Sequence, residues 1–545
     1  MIANELGRSR SATAVLAFLS TWSLSCLLAQ AQMHDMDMPM AVGHVDFNNS
    51  CSPSAKRDLN SGMAALYSFW FAESHQFFEK AAAKDPDCAI AYRGQAMSDY
   101  EQIEGGSLPE GEQLADGQRA IARGEAASRK TDREKAYLYA VAIIFDASGI
   151  PDHDQRVQRF SAAMGALSAA YPSDRQAAVI YAMSLLKKGM PADPDLLRDR
   201  KALVILNGVL KAEPDNPGVA HFIIHAADNP EMAFFGLDAA RRYAKLAPAA
   251  PHALHMPGHI FARLGLWDED IRSNLASKRA AEQPDLIHTE AQNRIHAMEF
   301  LQYAYLQTGQ DAKAAAIASE AATVRMSDFG PGFRQYWRFK ESLFPARQTL
   351  ETGNWSAAMK IQPAQDADVM ARQVIYWTHA VAAGHLHERK AAEQALASYN
   401  ATLNASDLDT MTAHPKSQWA ETKAWTLFAE GQADAAIALL KPIADVQDKL
   451  GKGEVDLPAR EMVGDMLRLS GRSDDALQEY RLSLQADPGR FDTLLHAAET
   501  AEKLQRNQEA ARYYRQLLKN SSNASPPARQ ALTHAKGFLA RRRTS

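Results

Sequence analysis

The sequence predicts an all-α fold in which helical hairpins repeat and stack into an α-solenoid superhelix. Three observations lead there. From Ser54 onward apolar and small residues recur at helical spacing, and no run alternates as a strand would. Tight turns then punctuate the pattern: Leu264-Gly265-Leu266-Trp267, Gln307-Thr308-Gly309-Gln310, Glu351-Thr352-Gly353-Asn354-Trp355 and Glu430-Gly431-Gln432 each place Gly where a helix needs a left-handed cap. Finally, residues recur at an offset of 34, the length of a two-helix repeat: His221 and His225 return as His255 and His259, and Gly464, Ala476 and Tyr480 as Ala498, Ala510 and Tyr514. A stacked array also suits a chain of 545 residues, because single cores stop growing near ~250–300 residues. Isolated hairpins cannot bury their apolar faces, so neighbours must stack.

The chain opens on a targeting pattern. Arg8 and Arg10 precede an apolar stretch from Ala12 to Leu28, and Ala29-Gln30-Ala31 offers a small-x-small cleavage site. Residues 1–31 are therefore expected to be a signal peptide, and the stretch is marginal for a membrane span. Cys26 follows Ser23-Leu24-Ser25, a poor lipobox because Ser23 stands where a large aliphatic residue is wanted. The mature chain would be exported, periplasmic or secreted, with no stable membrane insertion.

Residues 32–53 form a leader without periodicity, expected to be disordered. It carries Met33, His34, Met36, Met38, Met40 and His44, and thioethers with imidazoles suit copper, Cu(I) above all. The alternative is a solvated tail with chance methionines. Cys51 and Cys88 remain after cleavage, and an even pair in an oxidising compartment points to one disulfide, joining the entry of the first repeat to the start of the second. A functional thiol pair is the other possibility.

Repeats then follow in three blocks, 54–215, 216–345 and 346–545. Gly62, Phe71, Phe78, Ala81 and Asp85-Pro86 punctuate the first. Gly265, Gly309 and Gly353 fall 44 residues apart, so helical insertions or long turns interrupt the array, and 104–111, 189–195 and 451–458 hold the remaining loop signals. A net charge of −5 and an isoelectric point near 6.4 argue against nucleic acid as a partner. The short basic tail Arg541-Arg542-Arg543 reads as solvated.

The middle block holds the chemistry. Within each pair His221/His225 and His255/His259 the spacing is i,i+4, so both imidazoles leave one helix face. His252 extends the second pair, and His296, Glu299 and Tyr303 occupy the same phase one unit later. Phe222, Ile224, Leu254, Ile260, Phe261, Phe300 and Leu301 take the core-facing positions between them. Packed helices lie about 8–10 Å apart. Imidazoles from neighbours can therefore meet on one ion at about 2.0–2.1 Å, and zinc, copper or nickel accept such ligands. His221, His225, His255 and His259 are the expected ligands of one ion, with His252, His296 and Glu299 as auxiliaries and Asp228 orienting an imidazole or adding an oxygen. Pro257 is the weak point, because proline inside a helix breaks it unless it takes the first turn. Without a metal, the histidines would hydrogen-bond across a groove or bind the acidic groups of a peptide. Catalysis would need a water-bearing ion and a base, for which Glu299 is the candidate.

Other groups carry less. His288 has no clear phase, and His385-Leu386-His387 reads as an exposed turn pair. Arg334, Tyr336, Trp337 and Arg338 read as packing beside a solvated face, and Arg460 with Glu461 as an inter-repeat contact.

With these residues noted, the chain resembles exported bacterial tetratricopeptide-repeat proteins of poorly defined function. The resemblance lies in Asp85-Pro86-Asp87-Cys88-Ala89, in the run from His252 to Phe261, in Arg263-Leu264-Gly265-Leu266-Trp267 and in Pro458-Ala459-Arg460-Glu461. Arg93 departs from it, standing where the group has Trp after Ala-Tyr. The resemblance implies the repeat fold, export, and a concave groove lined by the histidine stripe; it implies no reaction. The expected function is a scaffold that binds a protein or peptide partner in that groove, with a copper or zinc ion on the histidines. A metal-dependent hydrolase and a metal-free interaction scaffold are the alternatives.

Overall fold

Turn chemistry dictates the pairing of helices seen in the computed structural model. It describes residues 42–542 except 101–110, 284–289, 326, 328, 330–333, 404–412, 454–455 and 527, and the side chains of 334–336 and 413–416. Helices α1 (Pro53–Tyr67) and α2 (Phe71–Lys84) form the first hairpin. Then come α3 (Ala89–Tyr100), α4 (Gly111–Ala126), α5 (Asp132–Phe145), α6 (His153–Ala170), α7 (Arg175–Leu185) and α8 (Leu197–Leu210). The middle of the chain forms α9 (Pro217–Ala227), α10 (Ala233–Leu246), α11 (Pro251–His255), α12 (Pro257–Arg263), α13 (Trp267–Ala281), α14 (Ala291–Gln307) and α15 (Asp311–Ala321). Next are α16 (Arg334–Leu350), α17 (Trp355–Ala358), α18 (Val369–Leu386), α19 (Arg389–Asn400), α20 (Ala413–Ala429) and α21 (Ala433–Leu450). The array ends with α22 (Ala459–Leu469), α23 (Ser473–Ala486), α24 (Phe491–Lys503), α25 (Asn507–Asn520) and α26 (Gln530–Arg541). Consecutive helices pack on one another throughout, as in a tetratricopeptide-type solenoid, and the described residues contain no strand.

Small-to-large packing sets the hairpins. Phe78 is fully buried, and its ring occupies the space that side chains at Gly62 and Gly94 would need. Gly265 has φ +66°, and a Cβ on it would come within 2.1 Å of the Pro488 carbonyl oxygen. That close approach brings a turn of the middle repeats onto a turn near the end of the chain. Trp267 Nε1 donates to the Gly489 carbonyl at 2.9 Å, and Ser525 N donates to the Gly309 carbonyl at 3.0 Å. Arg490, 1 % exposed, donates to Glu351, Glu461 and the Tyr303 hydroxyl. The superhelix thus winds back on itself, and from Val42 on the chain is one compact unit.

Two expected boundaries change. The division between residues 345 and 346 falls inside α16, which runs on through Pro345. The end of the leader is not free: Val42, Val45 and Phe47 are buried, and Gly43 lies against Pro217 at the start of α9. These three apolar side chains hold the extended segment down. Met33, His34, Met36, Met38 and Met40, with the whole signal segment, lie outside the described residues, and His44 is exposed. Cys51 and Cys88 form a disulfide that ties the segment before α1 to the start of α3.

Candidate metal centre

Helix α9 begins with the Asn216 side chain accepting from the Gly218 backbone N–H at 3.0 Å and with Pro217 at the first helical position. One turn on comes His221, and one turn further His225. A Cβ at Gly218 would sit 2.5 Å from the Tyr67 ring, so the bare backbone lets the end of α1 approach. That approach brings the Tyr67 carbonyl to His221, whose Nδ1–H donates to it at 2.6 Å.

Pro257 does not interrupt the stripe. Met256 keeps helical angles (φ −51°, ψ −35°) between α11 and α12, its N–H donates to the His252 carbonyl at 2.9 Å, and Pro257 takes the first position of α12. His252, His255 and His259 therefore stay on one winding helical face.

The six imidazoles divide into two sets of three rather than serving one four-histidine ion. His221 Nε2 lies 2.9 Å from His225 Nε2 and 3.1 Å from His252 Nε2. His255 Nε2 lies 2.9 Å from His259 Nε2, with His296 beside both. Within each set the three potential ligand nitrogens fall within 4.8 Å of one another, and no such group joins His221 and His225 to His255 and His259. The reason is the i,i+3 step on α11: His252 turns to the set on α9, whereas His255 faces α12 and α14. The ring centroids of His252 and His255 are 6.3 Å apart, so the two sets adjoin.

Each set has its own aromatic cover. Phe69, in the α1–α2 turn with φ +53°, places its ring 4.4, 5.6 and 5.1 Å from His221, His225 and His252. Phe300 on α14 lies 4.8, 4.8 and 5.2 Å from His255, His259 and His296. The groove that the resemblance implied is filled here by the chain's own α1–α2 turn.

Acceptors behind the rings set the tautomers. His255 Nδ1 donates to Asn274 Oδ1 at 2.6 Å, and Asn274 Nδ2 donates to Asp270, which turns its oxygen toward the histidine. His259 Nδ1 donates to Asp228 at 2.8 Å, whose other oxygen accepts from Arg263 Nε at 2.9 Å. Burial works to raise the Asp228 carboxyl, but Arg263 and His259 outweigh it and hold it well below the usual carboxylate range. Burial pushes His221, His252 and His255 well below the ordinary imidazole range, each reinforced by neighbouring histidines. It also pushes the Asp270 carboxyl well above its own range.

Glu299 stands behind His296 instead of among the ligands. Its carboxylate accepts from His296 Nδ1 at 3.3 Å, Lys340 at 2.7 Å and Arg347 at 3.1 Å. Tyr67, Phe69, Asp270 and Asn274 are the site residues that sequence reasoning missed. Asp270, Asn274 and Ser277 sit on the buried face of α13 between Trp267 and Ala281, where apolar residues are expected. That polar stripe is the one available clue. Nothing in the sequence marks a backbone carbonyl.

The remaining candidates settle elsewhere. His288 lies outside the described residues, as do the side chains of Arg334 and Tyr336. Trp337 is buried against Phe329, and Arg338 pairs with Glu341. His385 corrects its expectation: instead of standing in an exposed turn it is half-buried near the end of α18, stacked 3.9 Å from Trp355 and tilted against Trp425 at 4.4 Å. Arg460 pairs with Asp448 and Glu479, and Glu461 with Arg490, so both make inter-repeat contacts. Arg93 is buried with its guanidinium over the Tyr137 ring. Behind Asp228 and Arg263 opens a cavity of about 730 Å³, walled mainly by apolar residues including Trp377, Trp419, Ile443 and Leu457.

No family model matches the chain, and no curated protein sequence matches it. Solved structures with a similar course include the apo form of the quorum sensor NprR from B. thuringiensis, 12 % identical, at a TM-score of 0.37 over 71 % of this chain and 99 % of that one. The human IFIT1 dimer with m7Gppp-AAAA, 11 % identical, gives a TM-score of 0.37 over 83 % of this chain and 89 % of that one. The APC/C hetero-tetramer Cut9-Hcn1, 12 % identical, gives 0.33 over 88 % and 90 %. Likenesses this shallow bring no ligand or partner to this chain, whose repeat architecture rests on its own helices: a helical-repeat scaffold of a kind suited to binding proteins.

Proposed function

We propose that this chain is an exported helical-repeat scaffold that holds two transition-metal ions, copper or zinc, one in each set of three histidines. One observation carries the reading. His255 and His259 both give their Nδ1–H to oxygen acceptors, yet their Nε2 atoms face each other at 2.9 Å. Two neutral imidazoles so arranged point lone pairs at one another, which only a cation or an added proton between them relieves. Burial disfavours the proton on His255. A metal ion fits: nitrogens about 2.0–2.1 Å from a shared ion lie about 2.9 Å apart at a right angle and about 3.4 Å apart at a tetrahedral one. Oxygen acceptors on the far ring nitrogens are the usual means of orienting imidazole ligands.

Export is supported by the signal pattern at residues 1–31 and by the Cys51–Cys88 disulfide, a bond typical of oxidising compartments. The leader, with Met33, His34, Met36, Met38, Met40 and His44, captures or delivers copper; its end lies against Pro217, at the start of the helix bearing His221 and His225. A protein or peptide partner would bind repeat surfaces away from the filled groove, and no described helix is long and apolar enough to cross a membrane. Glu299 is a poor general base for a hydrolase, because Lys340 and Arg347 already engage it.

The test is metal analysis of the mature chain, stripped, dialysed against zinc or copper and washed. Two equivalents are expected in the wild type, one in either His221→Ala or His255→Ala, and none in the double variant. A wild-type chain that retains no metal sinks the proposal. Deleting residues 33–44 should weaken Cu(I) capture, and an unchanged affinity would remove the leader from it.

A further inference from the structure

The two histidine sets adjoin, and their charge surroundings select what they hold. All six ring ligands are imidazoles, which bring no negative charge to a bound ion. The described carboxylates that contact the rings, Asp228 and Glu299, are already paired with three cations, Arg263, Lys340 and Arg347. Burial pushes the Asp270 carboxyl well above its own range. Two divalent ions would therefore add four positive charges to a buried region where the carboxylates that contact the rings are already matched by cations, a costly arrangement. Two monovalent ions add half that charge, and imidazole donors in sets of three suit copper.

We propose, building on the metal-binding reading, that the two sets form one dinuclear copper centre that binds dioxygen. Each Cu(I) gives one electron, the dioxygen takes both, and its O–O π bond is lost as peroxide dianion forms between two Cu(II) ions. No proton moves, and no other oxidant is needed. The added charge of the site is the same before and after, because two negative charges on the peroxide offset the two gained by the metals. Adjacency provides the bridge: His252 and His255, three residues apart on α11, each serve a different ion, with ring centroids 6.3 Å apart. Phe69 and Phe300 cover the sets, which keeps water from the reduced oxygen.

The experiment loads the stripped, full-length mature protein anaerobically with two equivalents of Cu(I), then admits dioxygen and follows near-ultraviolet absorption and electron paramagnetic resonance. The expected result is a peroxide-to-Cu(II) charge-transfer band that fades when dioxygen is removed, with a paramagnetic signal far short of two spins per chain because bridging pairs the spins. His252→Ala and His296→Ala, at the two half-buried ligands, should each keep one copper, lose the band and show a full one-spin signal on oxidation. Should either fail to fold by circular dichroism, His252→Gln and His296→Gln take its place. A wild-type protein that retains two coppers but shows two full spins and no band overturns the dinuclear centre and leaves the metal-binding reading intact. A protein that retains no copper or zinc overturns both.

Discussion

His259 shows how a single side chain is made a ligand. Its Nδ1–H is committed to Asp228, so Nε2 is left as a lone pair aimed at the second set. Asp228 is itself held ionised by Arg263, which is only 3 % exposed in its side chain. Asp228→Asn should therefore lower metal affinity at the second set about 10–100-fold, the usual cost of losing a partner behind a ligand. The first set should keep its affinity, since Tyr67 at the end of α1 and Phe69 in the turn after it serve that set instead. Competition titration against a chromophoric chelator separates the two, and a parallel loss at both sets would show that Asp228 does not act locally. Asp228 was legible as an orienting residue in the sequence, because an acid three residues past a histidine pair invites that role. Asn274 was not, since a polar residue on a buried helix face acquires meaning only from what packs against it.

At the scale of helices and turns, the α11–α12 junction decides the site. Helix-breaking chemistry at Pro257 threatened the stripe, yet the ring sits where no intrahelical N–H is needed. Turn glycines were legible because the left-handed conformation is nearly theirs alone. Which of them also bear a tertiary contact was not. Gly265 and Gly353 have φ of +66° and +63°, but a Cβ would strike the Pro488 carbonyl at Gly265 and find its nearest neighbour 4.0 Å away at Gly353. Alanine at Gly353 should cost about 1–2 kcal/mol for the left-handed backbone alone. Alanine at Gly265 should cost clearly more, because the 488–489 turn must also move. Urea unfolding of the two variants checks this, and equal losses would mean that the turn-to-turn contact adds nothing.

Across the whole molecule, buried ion pairs tie distant repeats together. Arg490 joins the N-terminal end of α24 to Glu351 at the end of α16, to Glu461 on α22 and to Tyr303 on α14. Removing one partner of such a cluster leaves buried charge uncompensated, so Arg490→Met should destabilise the fold by about 3–5 kcal/mol. Denaturant unfolding measures it, and a loss below about 1 kcal/mol would mean that the carboxylates reach water or take up protons at little cost. The N-terminal hairpin closes the other side: the Tyr67 carbonyl reaches His221 across 154 residues of sequence.

By itself the sequence determined the helical repeat, its turns, the cysteine pair and the phase of six histidines, because periodicity and backbone preference act within a few residues of one another. The tertiary structure alone decided that these histidines form two sets of three, that Phe69 and Phe300 cover them, and that the superhelix fills its own groove there. Which nitrogen faces which depends on how helices far apart in the chain are rotated against each other. Small residues such as Gly218, set against Tyr67, fix that rotation, and a one-dimensional pattern does not carry it.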